Sequence, residues 1–391
     1  MTDKEKVTVS VSSVGADRKQ PPTKSYNKSI ADLPGQGNLQ STNNNPNNDN
    51  LQVISMTELY DTAYPPKLPV IDGLLYNGTY LFVGAPKIGK SFFMAQIGYH
   101  ISMGVPLWGH PVQQGTVLYL ALEDDYARLQ KRLSKMFGME GSKKFYFATR
   151  SKSLNNGLEQ QLIRFVAEHK DARLIIIDTL QKVREVGGEK FSYASDYEIV
   201  TKLKAFSDAY GICLLVVHHT RKMESSDSFD MISGTNGLLG AADGAFVMQK
   251  EKRTDNRAEL EIAGRDQQDQ KLWLNFNREI CIWELVRTET ELWKEPDDPI
   301  LEAITGLITE EQPEWRGTAT ELIQQLQLEI QPNVLTRKLN ISIERLYVEH
   351  GIRYENSRGH SGRMIVLMLQ SSRKHEMGNG NDKKRFMQTD I

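Results

Sequence analysis

Lys90 and Ser91 close the segment GAPKIGKS, Gly84 to Ser91, in which two glycines frame a short loop that ends in a lysine and a hydroxyl. Those residue types at that spacing suit a phosphate cradle. Gly84 and Gly89 let the backbone curl around Pro86, so that the N–H groups of Ala85, Lys87 and Ile88 can face phosphate oxygens. A helix starting at Lys90, with Phe92 in its first turn, adds the positive end of its dipole. The Lys90 ammonium would reach the β and γ phosphates, and the Ser91 hydroxyl would ligate Mg²⁺. A glycine-bearing turn with an exposed lysine can carry the same pattern. Here the apolar run TYLFVG before it and a helical pattern after it supply the strand and helix that the chemistry needs.

Two carboxylates extend the site. Asp178 ends the apolar run RLIIID, where a buried charge is costly unless something pairs with it. Mg²⁺ reached through a water is the partner expected beside a phosphate cradle, and a cap on the following turn is the other reading. Glu123 follows TVLYLAL, at the carboxyl end of a strand, where open α/β sheets bind their ligands. A glutamate there can polarise a water that attacks a γ-phosphate. Asp124 and Asp125 read instead as caps of the next helix. A third run, LLVVHHTRK, ends an apolar strand in His218 and His219. Side chains alternate along a strand, so only one of the two faces a given side. No nearby Cys or His cluster supplies further metal ligands.

The elements that must hold these residues follow from hydrophobic patterning. Strand-like runs alternate with helical ones through GICLLVVH, which predicts a mostly parallel sheet covered on both faces. AFVMQK, RAELEIAG, KLWLNFN and ICIWEL then follow with tight polar turns, which predicts an antiparallel extension. The fold class is therefore α/β. Residues 1–51 are polar and of low complexity and read as disordered, 52–294 as the α/β domain, 300–370 as a small separate unit, and 371–391 as a polar tail. The net charge of −2 gives no global attraction to nucleic acid, so any such contact must be local. Cys213 and Cys281 lie in apolar runs and read as free thiols of a reducing cytosol, and no apolar run approaches membrane-helix length. These features predict a cytoplasmic protein with no membrane segment.

In this order, GAPKIGKS, YLALEDDYARLQKRL, IIIDT, LLVVHHTRK, ISGTNGLLGAADGAFVM and IAGRD resemble the RecA-like P-loop ATPases, within them the RepA hexameric helicase type of plasmids and mobile elements. The resemblance spans about residues 65 to 286. It implies an ATP hydrolase with Mg²⁺, a homo-oligomer in the form of a hexameric ring, and movement on single-stranded DNA. It places Glu123 as the residue that activates water and His218 as the group that reports the γ-phosphate, with His219 in support. It makes Arg265, in IAGRD, the candidate arginine finger acting on a neighbouring subunit. Arg221 and Lys222, in the polar loop after the histidines, become candidates for DNA contact in the channel.

In 300–370, three helical patterns precede an alternating hairpin around SRGHSGR, similar to a winged helix. Between Gln331 and Arg363, six cations face three glutamates, so Arg337, Lys338, Arg358 and Arg363 are further candidates to grip DNA phosphates. Two other functions share these features. One is a RecA-like recombination or repair ATPase that does not translocate. The other is a DNA-binding replication initiator or regulator in which ATP hydrolysis is a switch.

Overall fold

The computed structural model describes residues 51–370 apart from 52, 65, 185–192, 220–228, 230–235, 253, 266, 290–294, 360 and 361. Most of the segment expected to be disordered, the loop with Arg221 and Lys222, and the polar tail lie outside the described residues.

A short helix, α1 (Met56–Asp61), starts on a capping box in which Ser55 and Glu58 bond each other's backbone N–H. The hairpin β1 (Pro69–Ile71) and β2 (Leu75–Tyr76) leads into β3 (Gly78–Gly84) and α2 (Lys90–Met103). The alternation continues through β4 (Thr116–Ala121), α3 (Tyr126–Phe137), β5 (Phe145–Ala148), α4 (Leu158–Glu168) and β6 (Ala172–Asp178). It ends with α5 (Leu180–Val183), α6 (Tyr193–Tyr210), β7 (Cys213–His219) and α7 (Asn236–Ala241). Four strands then follow: β8 (Gly244–Gln249), β9 (Arg257–Gly264), β10 (Gln270–Asn277) and β11 (Ile282–Thr288).

These strands form one nine-stranded sheet in the order β11-β10-β9-β8-β3-β7-β6-β4-β5. From β8 to β5 neighbours run parallel, and from β8 to β11 they run antiparallel. The parallel core with an antiparallel extension is the α/β architecture that the sequence patterning predicts. Strand β3 is buried at every residue, because helices cover both faces. On one face Leu215 and Val217 of β7 pack with Phe93, Met94 and Ile97 of α2. On the other, Leu214 and Val216 pack with Val200, Leu203 and Phe206 of α6. That parity decides where the two histidines go.

The C-terminal elements have a core of their own, with Leu301, Trp315, Leu322, Leu335 and Leu346 among its members. They are α8 (Pro299–Leu307), β12 (Glu314–Gly317), α9 (Ala319–Leu326), α10 (Pro332–Ile341), α11 (Ile343–Val348), β13 (Ile352–Gly359) and β14 (Gly362–Leu369). The three expected helices and the hairpin are present, and α8 and β12 add to them. Helix α8 follows directly on the linker EPDDP: Asp298 accepts from the Ile300 N–H, and Pro299 occupies the first turn, where its missing N–H costs no bond. Strand β12 is four residues long, too short for periodicity to register, and pairs with β14.

Ion pairs change the reading of the basic stretch in this unit. The Arg337 Nε donates to Asp61 Oδ1 at 2.7 Å, and Arg363 comes within 3.9 Å of the same carboxylate. Lys338 Nζ lies 2.5 Å from Asp298 Oδ2. Asn340 adds a bond to the Tyr60 carbonyl at 3.0 Å, so α1 is held against α10. The cation excess counted along residues 331–363 is thus offset in space by two aspartates from outside that stretch. For Arg358 the strand is described but not its side chain.

Candidate nucleotide-binding site

The carboxyl ends of β3, β4, β6 and β7 lie along one edge of the sheet and lead to Lys90 and Ser91, Glu123, Asp178 and His219 in turn. The Gly84–Ser91 loop leaves β3 and enters α2 through Gly89, which is left-handed at φ 104°. A Cβ at Gly89 would stand 2.8 Å from the Trp283 ring, so this position needs glycine both for its φ and for space. Trp283 of β11 is fully buried and braces the loop: its indole N–H donates to the Gly89 carbonyl at 3.2 Å. Gln96 of α2 bonds the Trp283 backbone in both directions, at 2.8 and 2.9 Å. The antiparallel extension is therefore a brace for the phosphate cradle.

Lys90 points back along its own loop and donates to the carbonyls of Gly84 (2.7 Å) and Ala85 (2.8 Å). Burial pushes its pKa down to about 8, while the charges of Asp178 and Glu123 pull it up. Ser91 Oγ donates to Asp178 Oδ2 at 2.8 Å, and the Tyr119 hydroxyl of β4 donates to the same oxygen at 2.8 Å. Burial raises the Asp178 pKa, and the two hydroxyls act against that rise. Tyr119 itself is pushed well up, by burial first and then by the adjacent carboxylate. Glu123 lies just past β4, exposed toward the cavity, with its Oε1 accepting from Thr179 Oγ1 at 3.3 Å.

The structure corrects the choice between the histidines. His219 Nδ1 is 3.1 Å from Lys90 Nζ, and His219 lines the cavity over the loop. An ammonium only donates, so Nδ1 accepts and the ring proton lies on Nε2. Burial, and after it the Lys90 charge, lowers the His219 pKa and favours the neutral ring. His218 is buried on the opposite face, in phase with Leu214 and Val216, while His219 is in phase with Leu215 and Val217 on the α2 side. The resemblance gives the phosphate side to His218; the pleat puts His219, not His218, on the side of Lys90 and the cavity. His219→Ala is therefore expected to lower turnover at least tenfold without a change in thermal stability, whereas His218→Ala lowers the melting temperature. Steady-state assays with thermal unfolding of both proteins check this, and equal turnover losses at unchanged stability would restore His218.

Asp124 and Asp125 divide their work. Asp125 caps α3, accepting from the Arg128 N–H at 2.8 Å. Asp124 pairs with Arg132 (2.7 Å) and Arg128 (3.2 Å), and the Arg132 guanidinium lies 5.1 Å from the centre of the Phe92 ring. With Lys250 and Phe276 these residues complete a cavity of about 540 Å³, within the usual size for small-molecule sites. Arg128, Arg132, Lys250, Phe276, Tyr119 and Trp283 were not foreseen. The Arg128–Arg132 spacing on an amphipathic helix was a usable signal; nothing local marks the other four.

Arg265 is not brought to this cavity. Its strand ends beside Gly244, at the edge of the sheet where β3 begins, and its guanidinium donates to the Gly240 carbonyl at 2.5 Å.

Mg²⁺ takes few protein ligands and keeps waters and phosphate oxygens. The donor set fits that habit, with a hydroxyl held on a buried carboxylate whose ionised form gains from a nearby cation. Among the described residues no cluster of three His, Cys, Asp or Glu forms a protein-only metal cage.

A phosphate cradle at a strand–helix junction, with the hydroxyl in the first turn of α2 bonded to the carboxylate that ends β6, two strands away from β3, defines a RecA-like P-loop ATPase fold. The comparison with protein families agrees: residues 48–225 match a family model described as an AAA domain. That match spans Lys90, Glu123, Asp178 and both histidines and stops before β8. None of the curated proteins matches this chain. Among solved structures, one described as an ATPase domain is similar at 15% identity, covering 54% of this chain and 85% of that one, with a TM-score of 0.46. A DnaB-like replicative helicase, solved with its interactions with primase, has 13% identity, coverage of 53% and 57%, and a TM-score of 0.45. A KaiC-like protein, PH0186 from Pyrococcus horikoshii OT3, has 15% identity, coverage of 58% and 99%, and a TM-score of 0.41. No described helix is long and apolar enough to cross a membrane.

Proposed function

We propose that this chain is a cytoplasmic, Mg²⁺-dependent ATP hydrolase that works as a ring-forming DNA motor of a mobile element. The observation that carries the hydrolase reading is the meeting of Lys90, Ser91, Asp178, Glu123 and His219 at one sheet edge, around a cavity of nucleotide size. Lys90 exchanges its two loop carbonyls for phosphate oxygens. Ser91 and Asp178 would hold Mg²⁺, which when bound would supply charge neutralisation on the phosphates. Glu123 accepts a proton from water as the water oxygen bonds to the γ-phosphorus and the bond to the β–γ bridging oxygen breaks, leaving ADP and phosphate. His219, beside Lys90, is placed to lose a contact when the γ-phosphate departs.

The motor reading is supported by the order of RepA-like phrases along the chain and by the position of Arg265. That arginine is exposed at the far edge of the sheet, so it can serve a nucleotide only on a neighbouring copy. Such a contact is head-to-tail and closes into a ring when the rotation allows. Arg221 and Lys222 follow His219 by two and three residues, which would connect the γ-phosphate to single-stranded DNA. Arg337, Lys338 and Arg363 are engaged by aspartates of this chain, and the proposal assigns them no DNA contact.

The test is steady-state ATP hydrolysis with and without single-stranded DNA, beside the mass of the ATP-bound assembly. Several-fold stimulation and a hexameric mass are expected. A monomer indifferent to DNA would sink the motor reading, and preference for a duplex site would favour the regulator. Mixing inactive Glu123→Gln subunits with inactive Arg265→Ala subunits should restore part of the activity, and no recovery would remove Arg265 from the site.

A further inference from the structure

The cavity is lined by two linked sets of side chains. Lys90, Ser91, Asp178 and His219 form the first and account for the phosphates. The second is Phe92, Arg132, Phe276 and Lys250, contributed by α2, α3, β10 and the end of β8. Its members touch in series. The Arg132 guanidinium stands 5.1 Å from the Phe92 centroid, Phe92 meets Phe276 edge-on at 5.3 Å, and Lys250 Nζ lies 5.8 Å from the Phe276 centroid. Phe276 is fixed in place, with its N–H on the Asn256 carbonyl at 2.8 Å and its ring 4.9 Å from that of Trp283. Lys250 is anchored by its bond to the Asp255 carbonyl at 2.9 Å.

What this wall lacks is as informative as what it holds. None of the described lining side chains is a carboxamide, and the one hydroxyl, Ser91, is engaged with Asp178. Asp124, the carboxylate nearest to this wall in sequence and contact, is taken by Arg128 and Arg132. The wall offers ring faces and cations, which attract any π-face, and its two donors, Arg132 and Lys250, are engaged by Asp124 and by the Asp255 carbonyl. A site built to hydrogen-bond a polar group rejects the analogue lacking it by roughly 10⁴–10⁵-fold, whereas stacking on an aromatic face tolerates every base, because every base has a π-face.

We infer that Phe276, supported by Phe92 and flanked by Arg132 and Lys250, is the stacking surface for the nucleobase, and that the substrates are nucleoside triphosphates as a class with little regard to the base. This rests on the reading of Gly84–Ser91 as the phosphate site. The experiment is calorimetric titration of the full chain with the Mg²⁺ complexes of ATP, GTP, CTP and UTP, and with tripolyphosphate, which has no base. The four nucleotides are expected to bind within about tenfold of one another, as stacking without edge readout implies. Phe276→Ala should weaken all four by roughly 5–100-fold and leave tripolyphosphate unchanged, and Phe276→Tyr should restore nucleotide binding. A preference above a hundredfold for one base, or unchanged nucleotide affinity in Phe276→Ala, overturns the inference. An equal loss for tripolyphosphate overturns it too, because Phe276 would then act on the cradle. Lys90→Ala separates the two readings: it should abolish binding of tripolyphosphate and nucleotides alike. Normal tripolyphosphate binding by that protein would remove the phosphate site itself, whatever Phe276→Ala shows.

Discussion

ATP turnover by the Lys90→Ala protein is expected to fall by at least 10²–10³-fold, the range seen when one preorganised donor to a developing charge is removed. The ammonium is the only cation that the loop itself directs inward, since it bonds the Gly84 and Ala85 carbonyls and faces His219 and the Asp178 carboxylate. Lys87, the other loop lysine, is exposed and left-handed at φ 65°. Truncation at 90 therefore leaves the β and γ phosphates without their charge partner and leaves Asp178 and Glu123 without the cation between them. Both changes oppose binding of a polyanion. The loss should appear in affinity as well as in turnover, and circular dichroism should show an intact fold, because Trp283 and Gln96 hold the loop from the other side. Turnover within threefold of the parent would refute the assignment of the phosphate site.

The second large effect separates binding from chemistry. Glu123→Gln should lower turnover by roughly 10²–10⁴-fold, the usual contribution of a general base, while nucleotide affinity changes little. An amide of the same shape can still accept from Thr179 Oγ1, so local geometry persists, but it cannot take a proton from water. Other carboxylates near the cavity are poorly suited to replace it. Asp178 is buried and already accepts two hydroxyl bonds, and Asp124 is engaged by two arginines. Measured binding of ATP beside single-turnover hydrolysis is the check. Parallel losses in both would make Glu123 a structural residue, and unchanged hydrolysis would move the base elsewhere.

The histidines and the basic stretch show where linear reading reaches its limit. Strand β7 was evident from its apolar run, and so was the rule that its last two side chains diverge. Which of them turns toward α2 depends on which face of β7 that helix covers, and that follows from the order of strands across the sheet. In the same way, Arg337 and Lys338 look unpaired in a list of nearby residues. Asp61 is far away in sequence and arrives only because α1 docks on α10. Exposed pairs of this kind add little to stability, yet they change what the surface offers to a phosphate backbone.

Read along the chain, the residues specify the α/β alternation, the cradle at Gly84–Ser91 and the two carboxylates at strand ends. These are local: a buried strand, a glycine turn and a helix start each carry their signal within a few residues. Packing across the sheet settled the rest: that His219 meets Lys90, that Tyr119 supports Asp178, that Trp283 braces Gly89 and that Phe276 and Lys250 close the cavity. The first three of those contacts join residues between 59 and 194 positions apart. The brace and the cavity wall exist because β8 to β11 fold back beside β3, on the side away from β7. No periodicity in one strand encodes which strand will lie next to it, so the candidate residues were legible in the chain and the cavity that encloses them was not.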